Sequence, residues 1–158
     1  MSSSEVDQNR LIIPALGGLY EGLSKLSYPL IRVATGLFLM PHGAQKLFGW
    51  FGGYGLDGTG QFFGQTLGME PGILFALLAG LVEFVGGLFV AIGLLTRPAA
   101  LGVAVLMAVA VVTVHLGNGY FWTNGGYEYP LLWGLVALAI VFRGGGAYSV
   151  DSKLSKEF

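Results

Sequence analysis

Cysteine is absent from the 158-residue chain. That excludes disulfides, thiol redox chemistry, cysteine-ligated iron–sulfur clusters and covalently attached c-type haem. Charge is scarce too. Eight Lys/Arg and nine Asp/Glu residues make up 11% of the chain, against about 25% in ordinary globular proteins. So few charges cannot cover the surface of a soluble domain of this size, and a disordered chain needs more of them. The net charge of −1 supplies no basic field for nucleic acid. No basic then apolar leader opens the sequence. Met1-Ser-Ser-Ser-Glu-Val-Asp7 is polar and acidic, so no secretory signal is expected there.

What is present is apolar. Hydrophobic residues are 54% of the chain and glycine occurs 27 times. The apolar runs predict an all-α integral membrane protein, an antiparallel four-helix transmembrane bundle. Its spans are placed at about 28–48, 73–95, 98–116 and 127–142. Each is near the ~20 residues that cross a ~30 Å hydrocarbon core. Helices are required because lipid offers no partner to an open backbone. Pro98 suits a first turn, and Pro41 is expected to kink the first span. Leu16, Leu19, Leu23 and Leu26 recur at helical spacing, which predicts a short interfacial helix ahead of span one. The expected divisions are an N-terminal segment 1–27, a membrane domain 28–143 and a cytoplasmic tail 144–158.

Lysine and arginine set the orientation. Arg10 and Lys25 precede span one, Arg97 lies between spans two and three, and Arg143, Lys153 and Lys156 follow span four. Segments 49–72 and 117–125 carry neither residue. The positive-inside rule puts both termini and the Arg97 turn in the cytoplasm. The Gln61–Leu67 stretch is expected to lie on the outer surface or dip into it.

Ionisable residues inside apolar spans are costly and normally face the bundle interior. They are Arg32, His42, Lys46, Glu83, His115 and Glu128. At a ~1.5 Å rise, Arg32 lies about 6 Å above the cytoplasmic boundary, His42 about 20 Å, and Lys46, His115 and Glu128 about 27 Å. Glu83 falls near mid-bilayer. His42, Lys46, His115 and Glu128 thus form one expected outer-leaflet cluster, able to bind a polar ligand head and exchange protons. Arg32 and Glu83 are expected to pair and fix helix register. Ala76, Gly80, Glu83, Gly87 and Ala91 form a small-residue stripe that predicts close helix contact. A second packing stripe is expected at Ala104, Ala108, Val111 and His115.

Aromatic residues crowd the outer loops, as in an interfacial belt. Alternatively Trp50 and Trp122, with Asn118 and Asn124, would line a pocket for a planar ligand. Bis-histidine haem on His42 and His115 is disfavoured by a height difference of about 6 Å on the helical rise. A metal site of His42, His115 and Glu128 lacks a ligand-spacing motif. Gly53-Tyr-Gly-Leu-Asp-Gly58 follows no strand, so it is no dinucleotide site.

Arg32, His42-Gly43 with Lys46, Glu83-Phe-Val-Gly86-Gly87, Gly93-Leu-Leu-Thr-Arg97, His115, Glu128 and Gly144-Gly-Gly-Ala-Tyr148-Ser149-Val-Asp151 occur in an order and spacing that resembles the DoxX family of small four-span bacterial membrane proteins. Val150 stands where that family's tail has leucine. The resemblance implies a protein of the bacterial inner membrane associated with redox chemistry, at most a membrane subunit of an oxidoreductase complex. It further implies a quinone or lipid ligand and a soluble or membrane oxidoreductase partner, with a homo-oligomer also open. The residues leave two other readings: a small transporter or channel, and an assembly or scaffold protein.

Overall fold

The computed structural model describes residue 7 and residues 10–154. The polar stretch at 1–6 and Lys156 lie outside the described residues. No strand occurs among the described residues, and four long helical segments carry the fold. These are α1 (Gly17–Phe48), α3 (Gly72–Ile92), α4 (Thr96–Asn118) and α5 (Glu128–Arg143). A short helix α2 (Gly55–Gln61) lies between α1 and α3.

Helix ends follow from local chemistry. Gly49 adopts a left-handed φ of 71° and closes α1. Gly93, at 72°, closes α3. Only glycine takes that conformation without a Cβ penalty. The Glu70 carboxylate accepts the Gly72 N–H at 3.1 Å and starts α3. Pro98 sits in the first turn of α4, as its sequence position requires.

One expectation is corrected. Residues 17–27 are not a separate helix: they run without a break into α1, which continues through Pro29 and Pro41. Helix propagation needs only one bond per added residue, and Leu16–Tyr28 contains no breaker strong enough to restart nucleation. Segment 49–72 holds α2 and a following π-helical turn, Phe62–Thr66. The 144–158 tail is packed where it is described. Ser149 and Asp151 are each only 5% exposed.

Helices α1 and α3 run antiparallel and meet through their smallest residues. Gly36 lies against Gly87 and Ala91, and Gly43 against Gly80 and Phe84. A Cβ on Gly36 would run into the carbonyl oxygen of Gly87. The predicted stripe Ala76, Gly80, Glu83, Gly87, Ala91 is buried throughout. On α4 the buried face is instead Thr96, Ala100, Val103 and Met107. Ala104, Ala108 and Val111 line an open apolar groove of about 310 Å³ between α4 and α5. Two core clusters join the helices: Leu39, Val103, Met107 and Ala137 in one, and Val90, Ala100 and Ile140 in the other.

Helices α3 and α4 are long and apolar enough to cross a membrane, each with a mean hydropathy of 2.4. Only 33% and 17% of those stretches are buried by the rest of the chain. Core helices of a soluble protein would be mostly covered, so the exposed apolar sides of α3 and α4 call for lipid.

Candidate functional site

Glu83 is paired with Lys46. The Lys46 ammonium donates to both carboxylate oxygens, at 2.9 and 2.6 Å. The Glu83 side chain is 7% exposed and that of Lys46 26%. A buried carboxylate otherwise lacks compensation for lost water, and here the ammonium supplies it. Glu83 stands in a π-helical turn, Val82–Gly86, where the Gly87 N–H donates back five residues to the Val82 carbonyl. Such a turn widens the helix and re-aims one side chain, and π-turns are frequent at functional sites. His42 lies one turn before Lys46 on α1 and is exposed.

The expected Arg32–Glu83 pair does not form. Arg32 is 1% exposed and points to the opposite end of α3. Its Nη1 donates to the carbonyls of Val90 and Ala91, both at 2.8 Å, and its Nη2 to the Tyr148 carbonyl at 2.5 Å. These are carbonyls a helix end leaves unsatisfied, and a cation there also meets the negative end of the helix dipole. Val150 and Asp151 N–H groups bond the Ile92 and Gly93 carbonyls at 3.1 and 2.8 Å. The C-terminal segment thus completes the end of α3.

Asp151 does the reverse for α4. Its carboxylate accepts from the Leu95 N–H at 2.8 Å, the Thr96 N–H at 2.9 Å and the Thr96 hydroxyl at 2.6 Å. The residue before α4 is Leu95, which offers no cap of its own. Burial alone would raise the Asp151 pKa. The hydrogen bonds from Thr96 and Leu95 and the Arg32 charge outweigh it and hold the carboxyl below its ordinary value. A lowered carboxyl pKa stabilises the fold above the unfolded value of about 3.9 and is lost as pH falls through the folded value. Asp151→Asn is expected to cost about 1–3 kcal/mol at neutral pH. The gap to wild type should close below about pH 4. Thermal unfolding across pH checks this, and a gap that persists at pH 2.5 contradicts it.

His115 and Glu128 are not joined to Lys46. They brace the turn between α4 and α5. His115 Nδ1 is 2.7 Å from the Gly125 carbonyl oxygen. Asn118 Nδ2 donates to the same oxygen at 3.2 Å. Glu128 accepts the Trp122 N–H, also at 3.2 Å. His115, like Glu83, sits in a π-helical turn, Val111–His115. Of the four expected cluster residues, Lys46 pairs with Glu83 between α1 and α3 and His42 is exposed on α1, whereas His115 and Glu128, with Asn118, form a second group at the turn. Among the described residues no hydrogen bond or ion pair links the groups. No set of three His, Asp or Glu residues there could share a metal ion.

The expected pocket residues also divide. Trp50 lines an apolar groove of about 260 Å³ with Leu37, Met40, Pro41 and Phe84. Trp122 stacks on Tyr129 at 5.3 Å between ring centroids. Asn118 holds the turn, and Asn124 is exposed. Sequence reading missed Thr96, Tyr148 and Asp151 as a unit. The available signal was a helix start without Ser, Asp or Asn at its cap, which demands an acceptor from elsewhere.

The DoxX family model matches residues 28–116. An uncharacterised Haemophilus influenzae protein is 36% identical over 110 residues, 65% of this chain and 82% of that protein. A Bacillus subtilis protein named "Putative oxidoreductase CatD" is 33% identical over 111 residues, 70% of this chain and 75% of that protein. An uncharacterised membrane protein of Mycobacterium tuberculosis is 33% identical over 139 residues, 80% of each chain. No solved structure matches the chain.

Proposed function

The chain belongs to the DoxX family, and from that premise we propose that it is a redox-associated membrane subunit that binds a quinone-like ligand beside Lys46, Glu83 and His42. The carrying observation is the buried Lys46–Glu83 pair. A charged pair at membrane depth is costly, and such groups mark ligand or proton pathways.

In this reading α1, α3, α4 and α5 all span the bacterial cytoplasmic membrane, with both termini in the cytoplasm. Arg97, Arg143 and Lys153 all lie at the end where α3 meets α4 and the C-terminal segment folds back, as the positive-inside rule asks. The exposed leucines Leu19, Leu23 and Leu26 at the start of α1 lie along the interface.

The residues present fit a ligand with a polar head and an apolar body. The Lys46 ammonium and the His42 imidazole donate to carbonyl oxygens, and Glu83 keeps the site near neutral overall. His42 exchanges protons with the head. A bound quinone supplies the two-electron chemistry. An oxidoreductase partner, soluble or membrane-bound, exchanges the electrons. The relative named as an oxidoreductase supports the redox assignment.

Protein extracted gently from its own membrane is expected to carry a quinone near one per chain, read by mass spectrometry of the organic extract. His42→Ala, which leaves the ion pair in place, should weaken quinone binding about tenfold, the worth of one hydrogen bond of ~1.4 kcal/mol, and so bring that content clearly below one per chain, with unfolding unchanged. Phospholipid alone in the wild-type extract overturns the reading.

A further inference from the structure

The open groove between α4 and α5 stands apart from the Lys46–Glu83 pair. Its volume is about 310 Å³. Ala104 and Ala108 face it from α4 and Gly134 from α5. A Cβ on Gly134 would lie 3.2 Å from the Met107 Cβ, so the two helices come close there. Longer apolar side chains flank the furrow. Leu101, Val105, Leu135 and Leu138 line it and are between 37% and 57% exposed. From Leu101 to Val111 the groove runs about 15 Å at ~1.5 Å per residue. Spread over that length, the volume leaves a section of about 20 Å², against about 80 Å² for the body of a helix ~10 Å across. The furrow therefore seats one extended hydrocarbon chain and not a helix.

The groove has a cationic end. Arg97 lies one turn before Leu101 on α4, hence on the same face. The groove begins about 6 Å from the level of Arg97 and spans half of a ~30 Å hydrocarbon core. The C-terminal segment brings a second cation to this end. Asp151 bonds the Leu95 and Thr96 N–H groups at the start of α4. Lys153 follows two residues later and is exposed. Asp151 does not cancel the two cations. Its oxygens are engaged by Leu95 and Thr96, and the buried Arg32 holds the same segment through the Tyr148 carbonyl. This end of α4 is net positive.

We propose that the groove holds one acyl chain of an anionic phospholipid whose phosphate lies at Arg97 and Lys153. The site is separate from the quinone reading and shares with it only the crossing of the membrane by α4 and α5. Charge and shape select the same occupant. A lipid of the leaflet on the Arg97 side enters with its head at the boundary and its tail along α4. A zwitterionic lipid fills the furrow but leaves the excess positive charge unanswered. Phosphatidylglycerol answers both.

The test uses the full chain in detergent micelles. The probes are palmitoyl-oleoyl phosphatidylglycerol and the phosphatidylcholine with the same chains, and native mass spectrometry counts the lipid retained. Wild type should hold one phosphatidylglycerol and prefer it about twentyfold, from two cations near an anionic group. Arg97→Gln and Lys153→Gln should each reduce that preference about fivefold, with phosphatidylcholine binding unchanged. Ala108→Phe, which puts a ring into the furrow, should weaken both lipids at least tenfold. Lys153→Gln alters only an exposed side chain, so the test stands even where Ala108→Phe does not fold. Glycerol 3-phosphate, a head without a tail, should not bind. Equal retention of the two lipids by wild type overturns the proposal, as does a full preference in the double variant Arg97→Gln/Lys153→Gln. Tight binding of glycerol 3-phosphate would show a free-phosphate site and overturn the role of the groove. A wild-type dimer that Ala108→Phe splits would make the groove a contact between copies and overturn it as well.

Discussion

Glu83→Gln, with Lys46 left in place, is expected to destabilise the protein by about 3–5 kcal/mol, because it strands an ammonium inside the bundle. The carboxylate now accepts two bonds from Lys46, at 2.9 and 2.6 Å. Glutamine keeps the shape and removes the charge, so the loss reports electrostatics rather than a cavity. Lys46→Met should cost a similar amount, leaving the carboxylate alone in its π-helical turn. The double variant Lys46→Met/Glu83→Gln should recover most of either loss, since a neutral pair carries no desolvation penalty. That recovery separates a pair kept for chemistry from one kept for stability. Denaturant titration in detergent micelles gives the double-mutant cycle. If the double variant is as unstable as the sum of the single variants, Lys46 and Glu83 are not coupled and the site described here is wrong. The double variant should also lose quinone binding while staying folded, which a purely structural pair would not produce.

Arg32→Met is expected to cost at least about 4 kcal/mol, in the range reserved for broken buried networks. The guanidinium satisfies the Val90 and Ala91 carbonyls of α3 and the Tyr148 carbonyl of the C-terminal segment. Methionine fills the volume and donates to none of them; Val90 keeps the Gly93 N–H, while the Ala91 and Tyr148 carbonyls lose this donor at about 1–3 kcal/mol each. The damage should not stay local. Tyr148 is three residues before Asp151, which caps α4, so releasing one loosens the other. Tyr28 holds the same segment through its hydroxyl to the Gly144 carbonyl, and its ring lies under Arg143 at 4.2 Å. Limited trypsin digestion should therefore cut after Lys153 sooner in Arg32→Met than in wild type. Arg32→Lys should rescue less than half of the stability, because one ammonium cannot reach acceptors on two segments as a planar fork does. Full rescue by lysine would show that charge alone, and not the fork, holds this end together.

Much was legible in the order of residues. Scarce charge and long apolar runs fix a helical membrane protein, because lipid forbids an open backbone. Pro98 marked the start of α4 to within a few residues, since a first-turn proline is local chemistry. The Ala76–Ala91 stripe was legible because side-chain size decides how closely two helices approach, and 3.6-residue periodicity assigns those side chains to one face.

Partner choice was not legible. The expected partner of Glu83 was Arg32, but residue type and Cα height ignore where side chains reach. The flexible Lys46 stem comes down from its position on α1 to Glu83, re-aimed by its π-helical turn, while Arg32 is claimed by carbonyls that no charge count registers. Lys46, His115 and Glu128 share one estimated height on three helices, with His42 about 6 Å lower on α1. Depth fixes only one coordinate, and the rotation of α4 and α5 turned His115 and Glu128 to the loop between them. The C-terminal segment shows the same limit. Its sequence reads as a polar tail, and only the folded chain brings the Asp151 carboxylate, more than fifty residues away in the chain, onto the unsatisfied N–H groups of Leu95 and Thr96. Periodicity and composition determine which faces must be covered, and tertiary packing decides what covers them.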